Sequence, residues 1–223
     1  MNLFLSGGGN KEESETIDKE FVNRLDIEKP MLYIPIAMKG GIPYEDCYKW
    51  ATSVFEPLGI SDITMWTGLN GRSQDDLQQF LAIYIGGGNT FNLLHDLRKT
   101  NFDKLLMNFI TKGGAVYGGS AGAIILGTDI MTCAHMDPNE PGLVDTQGLG
   151  RVGPYSIWCH YEEENDRLID SFIKEYRQPI IALPEATGVF VSDAFVKVIG
   201  KSSAYRFDGK TKKSVRPGES FSY

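Results

Sequence analysis

Tyr117-Gly118-Gly119-Ser120-Ala121-Gly122-Ala123 lies between two apolar runs, Ala115-Val116-Tyr117 and Ala123-Ile124-Ile125-Leu126. An apolar strand, a serine flanked by glycines and a helix-compatible run make the pattern of a nucleophile elbow. The requirement is steric: the serine sits on a tight strand-to-helix turn, and only small neighbours let the backbone close that far. Such a turn lifts the hydroxyl above the sheet at the start of the following helix, where backbone N–H groups favour developing negative charge. A Gly-rich strand-to-helix turn that merely packs closely is the other reading of the same pentapeptide.

Outward from this turn, apolar runs alternate with helical stretches. Leu3-Phe4-Leu5, Met31–Ile36, Ile63–Trp66 and Ala82–Ile85 read as buried strands, with helices predicted over about 11–25, 44–58, 90–97 and 102–112. Strands that are apolar throughout and separated by helices predict a mostly parallel sheet covered by helices on both faces. Beyond the elbow, Met131–Gly153 reads as a long loop bordering the site. Tyr155–Tyr161 and Ile180–Leu183 are two further strands, with a helix over Asn165–Tyr176 between them. After Pro184 come short alternating runs, Val189–Val191, Ala194–Ile199 and Ala204–Phe207, separated by turn residues. They predict an antiparallel meander that closes the fold. No composition shift divides residues 1–223, which predicts a single α/β domain.

Composition narrows the function classes. The chain has 223 residues, 42% hydrophobic and 23% charged, with a formal net charge of −7. That acidic balance argues against a nucleic-acid partner. Lys210-Thr211-Lys212-Lys213, the one basic cluster, reads as a solvated turn. Cys47, Cys133 and Cys159 give an odd, irregularly spaced count, so neither a complete disulfide framework nor a CxxC metal site is expected. No apolar run approaches the roughly 20 residues of a membrane span, and no export signal is read at the start. The expectation is a cytoplasmic protein with no membrane association, no metal and no cofactor.

Two strands end alike, Phe4-Leu5-Ser6-Gly7-Gly8-Gly9-Asn10 and Tyr84-Ile85-Gly86-Gly87-Gly88-Asn89. Glycine runs at carboxyl ends of strands expose N–H groups where open α/β sheets bind ligands. The second run reads as half of an oxyanion hole, with the N–H of Ala121 as the other half; a tight βα turn capped by Asn89 or Thr90 is compatible with it. A serine nucleophile needs a base. Of His95, His135 and His160, the first falls off the apolar face of its helix and reads as solvent-facing, and the second lies in the long loop and can line a site. His160 comes near the end of a strand, at the same sheet edge as the elbow. By alternation Cys159 then faces the packed side.

Ile85-Gly86-Gly87-Gly88-Asn89-Thr90-Phe91, Gly119-Ser120-Ala121-Gly122, the strand ending in His160, and Leu183-Pro184-Glu185 occur in the order seen in the S51 serine peptidases. The chain resembles that family from end to end. The resemblance implies a fold akin to class I glutamine amidotransferases, with Ser120 as nucleophile, His160 as general base and the N–H groups of Gly88 and Ala121 as oxyanion hole. For the third triad member it points to Glu185, and Asp137 falls near a loop aspartate of the family. Glu185 is favoured, because a strand end holds a group more firmly than a loop. The implied activity is a serine-type exopeptidase acting on small peptides, Asp-X dipeptides among them; the chain is expected to be a monomer or homodimer, a choice that the sequence leaves open. Amidase or esterase chemistry with the same triad and a silent ligand-binding member are the alternatives. Family members that act on Asp-X dipeptides carry two arginines after the histidine. Here His160-Tyr161-Glu162-Glu163-Glu164-Asn165-Asp166-Arg167 offers one, so Arg167 is the candidate contact for a substrate carboxylate.

Overall fold

The computed structural model describes residues 1–26 and 29–222. Five parallel strands carry the fold: β1 (Asn2–Ser6), β2 (Met31–Ile34), β3 (Ile63–Met65), β4 (Ala82–Ile85) and β5 (Ala115–Gly119). They pair side by side in the order β1-β5-β4-β2-β3. The intervening helices are α1 (Lys11–Val22), α2 (Tyr44–Phe55), α3 (Gln74–Gln78), α4 (Thr90–Lys99) and α5 (Phe102–Thr111), and one short turn of helix, α6 (Ala121–Ile124), follows β5. Helix starts follow local chemistry. Asn10 with Glu13 and Ser73 with Asp76 form capping boxes, and the Asn89 side chain accepts from the N–H of Asn92.

Alternation along the strands sorts side chains into two cores. Leu3, Leu5, Leu32, Ile34, Ile83, Ile85 and Val116 pack against α3 to α6, while Phe4, Tyr33, Tyr84 and Tyr117 pack against α1 and α2. Register makes the second set a ladder, since Phe4 pairs with Tyr117, Tyr117 with Tyr84 and Tyr84 with Tyr33. Their rings meet edge-on or tilted, Tyr84 and Tyr117 at 4.9 Å between centroids.

The carboxyl-terminal part departs from a single sheet. Elements β6 (Ser156–Trp158), α7 (Asp166–Tyr176) and β7 (Ile180–Ala182) follow the long loop, and then come β8 (Thr187–Val191), β9 (Val196–Gly200), β10 (Ala204–Phe207), β11 (Lys212–Val215) and β12 (Ser220–Phe221). The expected meander divides. Strands β8, β9 and β12 extend the large sheet antiparallel beside β1, whereas β10 and β11 join the parallel pair β6-β7 in a second, four-stranded sheet. Short apolar strands carry no record of which sheet they join, so pairing partners decided this and not pattern. The loop after α6 is as long as expected, with one short 3-10 turn at Met131–Cys133 and a bridge between Asp129 and Gln147.

Candidate active site

The elbow closes as tightly as its glycines predict. A Cβ on Gly118 would lie 2.3 Å from the carbonyl oxygen of Gly122, and one on Gly122 would lie 2.3 Å from that of Ile85. Between them Ser120 has φ 49° and ψ −109°, a backbone region that L-residues avoid. Its N–H donates to the carbonyl of Ser6 at 3.1 Å, which ties the turn to the end of β1. The helix beyond is one turn long, so local N–H groups, and not a long helix dipole, remain to meet an anion here.

His160 arrives from the second sheet. It lies two residues past the end of β6, with φ 51°, so a left-handed backbone step aims its ring where sequence reading invoked strand alternation. Its N–H donates to the carbonyl of Gly7 at 2.9 Å. The ring lies over Gly8, where a Cβ would come within 2.2 Å of Cε1. Cys159 is buried as expected, its thiol against the carbonyls of Ser6 and Ser120, and burial pushes its pKa up, so it stays a neutral thiol.

Three side chains form one row. Ser120 Oγ is 2.8 Å from His160 Nε2, and His160 Nδ1 is 3.0 Å from Glu185 Oε1. A carboxylate only accepts, so the Nδ1 proton belongs in that contact and Nε2 is left free to accept from the Ser120 hydroxyl. Glu185 follows β7 and precedes Ala186, another left-handed residue at φ 61°. The imidazole is 33% exposed and the Glu185 side chain 50% exposed, so water reaches both.

Asp137 lies elsewhere. Its Oδ2 accepts from the Thr90 N–H at 2.8 Å, and the neighbouring Pro138 carbonyl accepts from the Asn89 side chain at 2.9 Å. The loop aspartate therefore braces the second glycine run at the start of α4. Gly88 in that run has φ 132°, and a Cβ there would lie 2.2 Å from the Ala37 carbonyl oxygen. Among the described residues the N–H groups of Gly88 and Ala121 find no acceptor. A Cβ on Gly87 would contact Ser120 Cβ at 3.3 Å, so this run does border the serine.

The other two histidines do not join this row. His95 is half-buried on α4, less exposed than its helical spacing predicts. His135 stacks on Trp158 at 4.4 Å between centroids, and burial lowers its pKa. Arg167 is exposed in the first turn of α7 and does not line the cavity beside Ser120. That cavity, about 410 Å³, is bordered by Ser120, His160, both glycine runs and residues of β2, β4, β5 and α2. Among the described residues no cluster of His, Cys, Asp and Glu has the arrangement of a metal site.

Sequence reading missed the job of the first glycine run. Gly7 accepts from His160 and donates its own N–H to the Thr187 carbonyl at 2.9 Å, and a Cβ on it would lie 2.3 Å from the Pro184 carbonyl oxygen. The signal was the repeated Gly-Gly-Gly-Asn itself, which marks two loops meeting at one site.

The model of peptidase family S51 matches residues 3–199. The chain belongs to this family. Among curated family relatives, Peptidase E of Shewanella sp. strain W3-18-1 is 32% identical over 146 residues, 61% of each chain. Peptidase E of Nostoc sp. is 27% identical over 206 residues, covering 87% of this chain and 83% of that one. This chain thus matches about three fifths of the length of that Shewanella relative. Two solved structures share the fold. A putative Peptidase E protein from Listeria monocytogenes EGD-e gives a TM-score of 0.68 at 24% identity, over 96% of this chain and 98% of its own. A peptidase from an acI-B1 Actinobacterium gives 0.78 at 20% identity, over 100% and 96%.

Proposed function

We propose that this S51 chain is a serine-type exopeptidase that hydrolyses small peptides through an acyl-enzyme on Ser120. The observation that carries the reading is the row Glu185–His160–Ser120, at 3.0 and 2.8 Å, on a serine held in a strained turn. As Ser120 Oγ attacks the scissile carbonyl carbon, His160 Nε2 takes its proton. The carbonyl oxygen gains negative charge and is met by the N–H groups of Gly88 and Ala121, each worth about 10²–10³ in kcat by analogy with other oxyanion donors. The C–N bond then breaks, and the departing amine takes the proton back from Nε2. Water repeats the sequence: Nε2 accepts its proton, the hydroxide attacks the acyl carbon, and the ester bond to Oγ breaks with return of the proton to Ser120. Glu185 keeps the Nδ1 proton in place and stabilises the imidazolium of each half-reaction.

This reading gives Arg167 no role at the reacting bond and treats the chain as one S51-type unit, active as a monomer or homodimer in the cytoplasm. No described helix is long and apolar enough to cross a membrane, and the net charge of −7 does not suit a nucleic-acid partner. The test is fluorophosphonate labelling with mass measurement, beside dipeptide hydrolysis by wild type and Ser120→Ala. Wild type should gain one adduct at Ser120. The folded alanine variant should lose several orders of magnitude in kcat, because triad members act as a unit. An unlabelled wild type, or full activity in Ser120→Ala, ends the reading.

A further inference from the structure

The cavity beside Ser120 has a wall of aromatic rings and nearly no charge. Tyr33 and Tyr84 meet at 5.2 Å, Trp50 and Tyr84 at 5.9 Å, and Tyr84 and Tyr117 at 4.9 Å between centroids. Met38 and Ile42 border the cavity as well. Burial pushes the phenols of Tyr84 and Tyr117 well above their usual range, so both remain neutral donors. Apart from the imidazole of His160, Asp46 is the one Asp, Glu or His side chain among the described residues of the lining, and no lysine or arginine is among them. Lys49 pairs with Asp46 at 3.2 Å and with Glu45 at 2.9 Å, and it does not line the cavity. Behind the wall, the Tyr117 hydroxyl donates to Asp18 at 2.8 Å, so the group there is an acid too.

A substrate carboxylate entering this space would leave water and find neutral phenols with no cation opposite. An unpaired buried charge is among the costliest groups to desolvate, whereas an apolar side chain gains by the same transfer. A volume of about 410 Å³ has room for a large side chain. We propose that the cavity receives the side chain of the substrate's first residue, and that the chain therefore prefers peptides beginning with a large neutral apolar or aromatic residue over those beginning with aspartate or glutamate. The proposal rests on the peptidase reading only in supposing that Ser120 attacks the carbonyl of that first residue.

Calorimetric binding of Phe-Leu and Asp-Leu to the Ser120→Ala variant tests it without needing turnover. Phe-Leu should bind at least ~10-fold more tightly, the scale on which side-chain pockets discriminate. Adding Met38→Arg to the same variant should narrow that ratio, because it supplies the missing cation. Equal or tighter binding of Asp-Leu before that addition, no binding of either peptide, or a ratio unmoved by Met38→Arg would overturn the assignment. Fluorophosphonate labelling of wild type separates the two claims. A labelled Ser120 with Asp-Leu preferred sinks the specificity alone, and an unlabelled Ser120 with Phe-Leu preferred sinks the peptidase reading alone.

Discussion

Gly8→Ala should damage catalysis while leaving the nucleophile untouched. The added Cβ would fall 2.2 Å from His160 Cε1 and 2.9 Å from Nε2. Carbon–carbon contacts settle near 3.5–4.0 Å, so the ring must retreat by more than about 1 Å. Since Nε2 now lies 2.8 Å from Ser120 Oγ, such a retreat breaks the contact through which, in the proposed mechanism, the serine loses its proton. Misplacement on that scale costs about 10² in rate. Gly8 also has φ 108°, so alanine adds backbone strain of about 1–3 kcal/mol. The assay pairs steady-state kinetics with thermal denaturation. The variant should stay folded with a lowered Tm, lose about 10² in kcat and label more slowly with fluorophosphonate. Wild-type kcat in a folded Gly8→Ala protein would show that the imidazole is not held where this contact places it, and the positioning argument would fail.

Glu185→Gln and Asp137→Asn should part company. The first leaves His160 Nδ1 without a carboxylate and should lower kcat at least about tenfold, whereas the second weakens the brace on Thr90, costing about 1 kcal/mol of stability with kcat near wild type. Kinetics with the two variants reversed would give the triad position to Asp137. The buried Asp18 concerns pH. Its pKa is pushed up to about 6 by burial, against the hydrogen bonds from Ser14 and Tyr117. A native pKa above the unfolded one means that the fold holds this proton more tightly. Stability from Asp18 is therefore fully present at low pH and is lost as pH rises from the ordinary aspartate range through about 6, by about 3 kcal/mol in all. Urea denaturation across that window should show a smaller fall for Asp18→Asn than for wild type. An identical fall in both would remove Asp18 as its source.

The elbow was legible because its demand is local: the residues that would clash at Gly118 and Gly122 are close by or in the adjacent parallel strand, and only glycine fits. The row of helices and parallel strands was legible for a related reason, since hydrophobic period and capping residues lie within each element. His160 was found by its place at the sheet edge, but its aim was not readable. A left-handed step at a histidine leaves no local mark, and the space over Gly8 comes from a loop far away in sequence. Glu185 over Asp137 was argued from strand ends, and the geometry gives each of the two a different partner. The second sheet was hidden because β6 and β7 have the same apolar pattern as the central strands. The aromatic wall was half visible: Tyr33, Tyr84 and Tyr117 stand in the strand runs, yet only the register reveals that they are neighbours.

Ser120 and its two partners come from different sheets, and the seam between those sheets is stitched by main chain. Ser6 and Gly7, at the end of β1, take the N–H of Ser120 on one side and the N–H of His160 on the other, while Gly7 gives its own N–H to Thr187. Peptide groups are present whatever the side chains are, so substitution elsewhere on the seam does not remove the stitches. The three side chains of the row thus keep their spacing while the cavity walls are free to drift. On this frame β2, α2 and their loops can vary, and with them the shape of the cavity, while the row Glu185–His160–Ser120 is carried along unchanged.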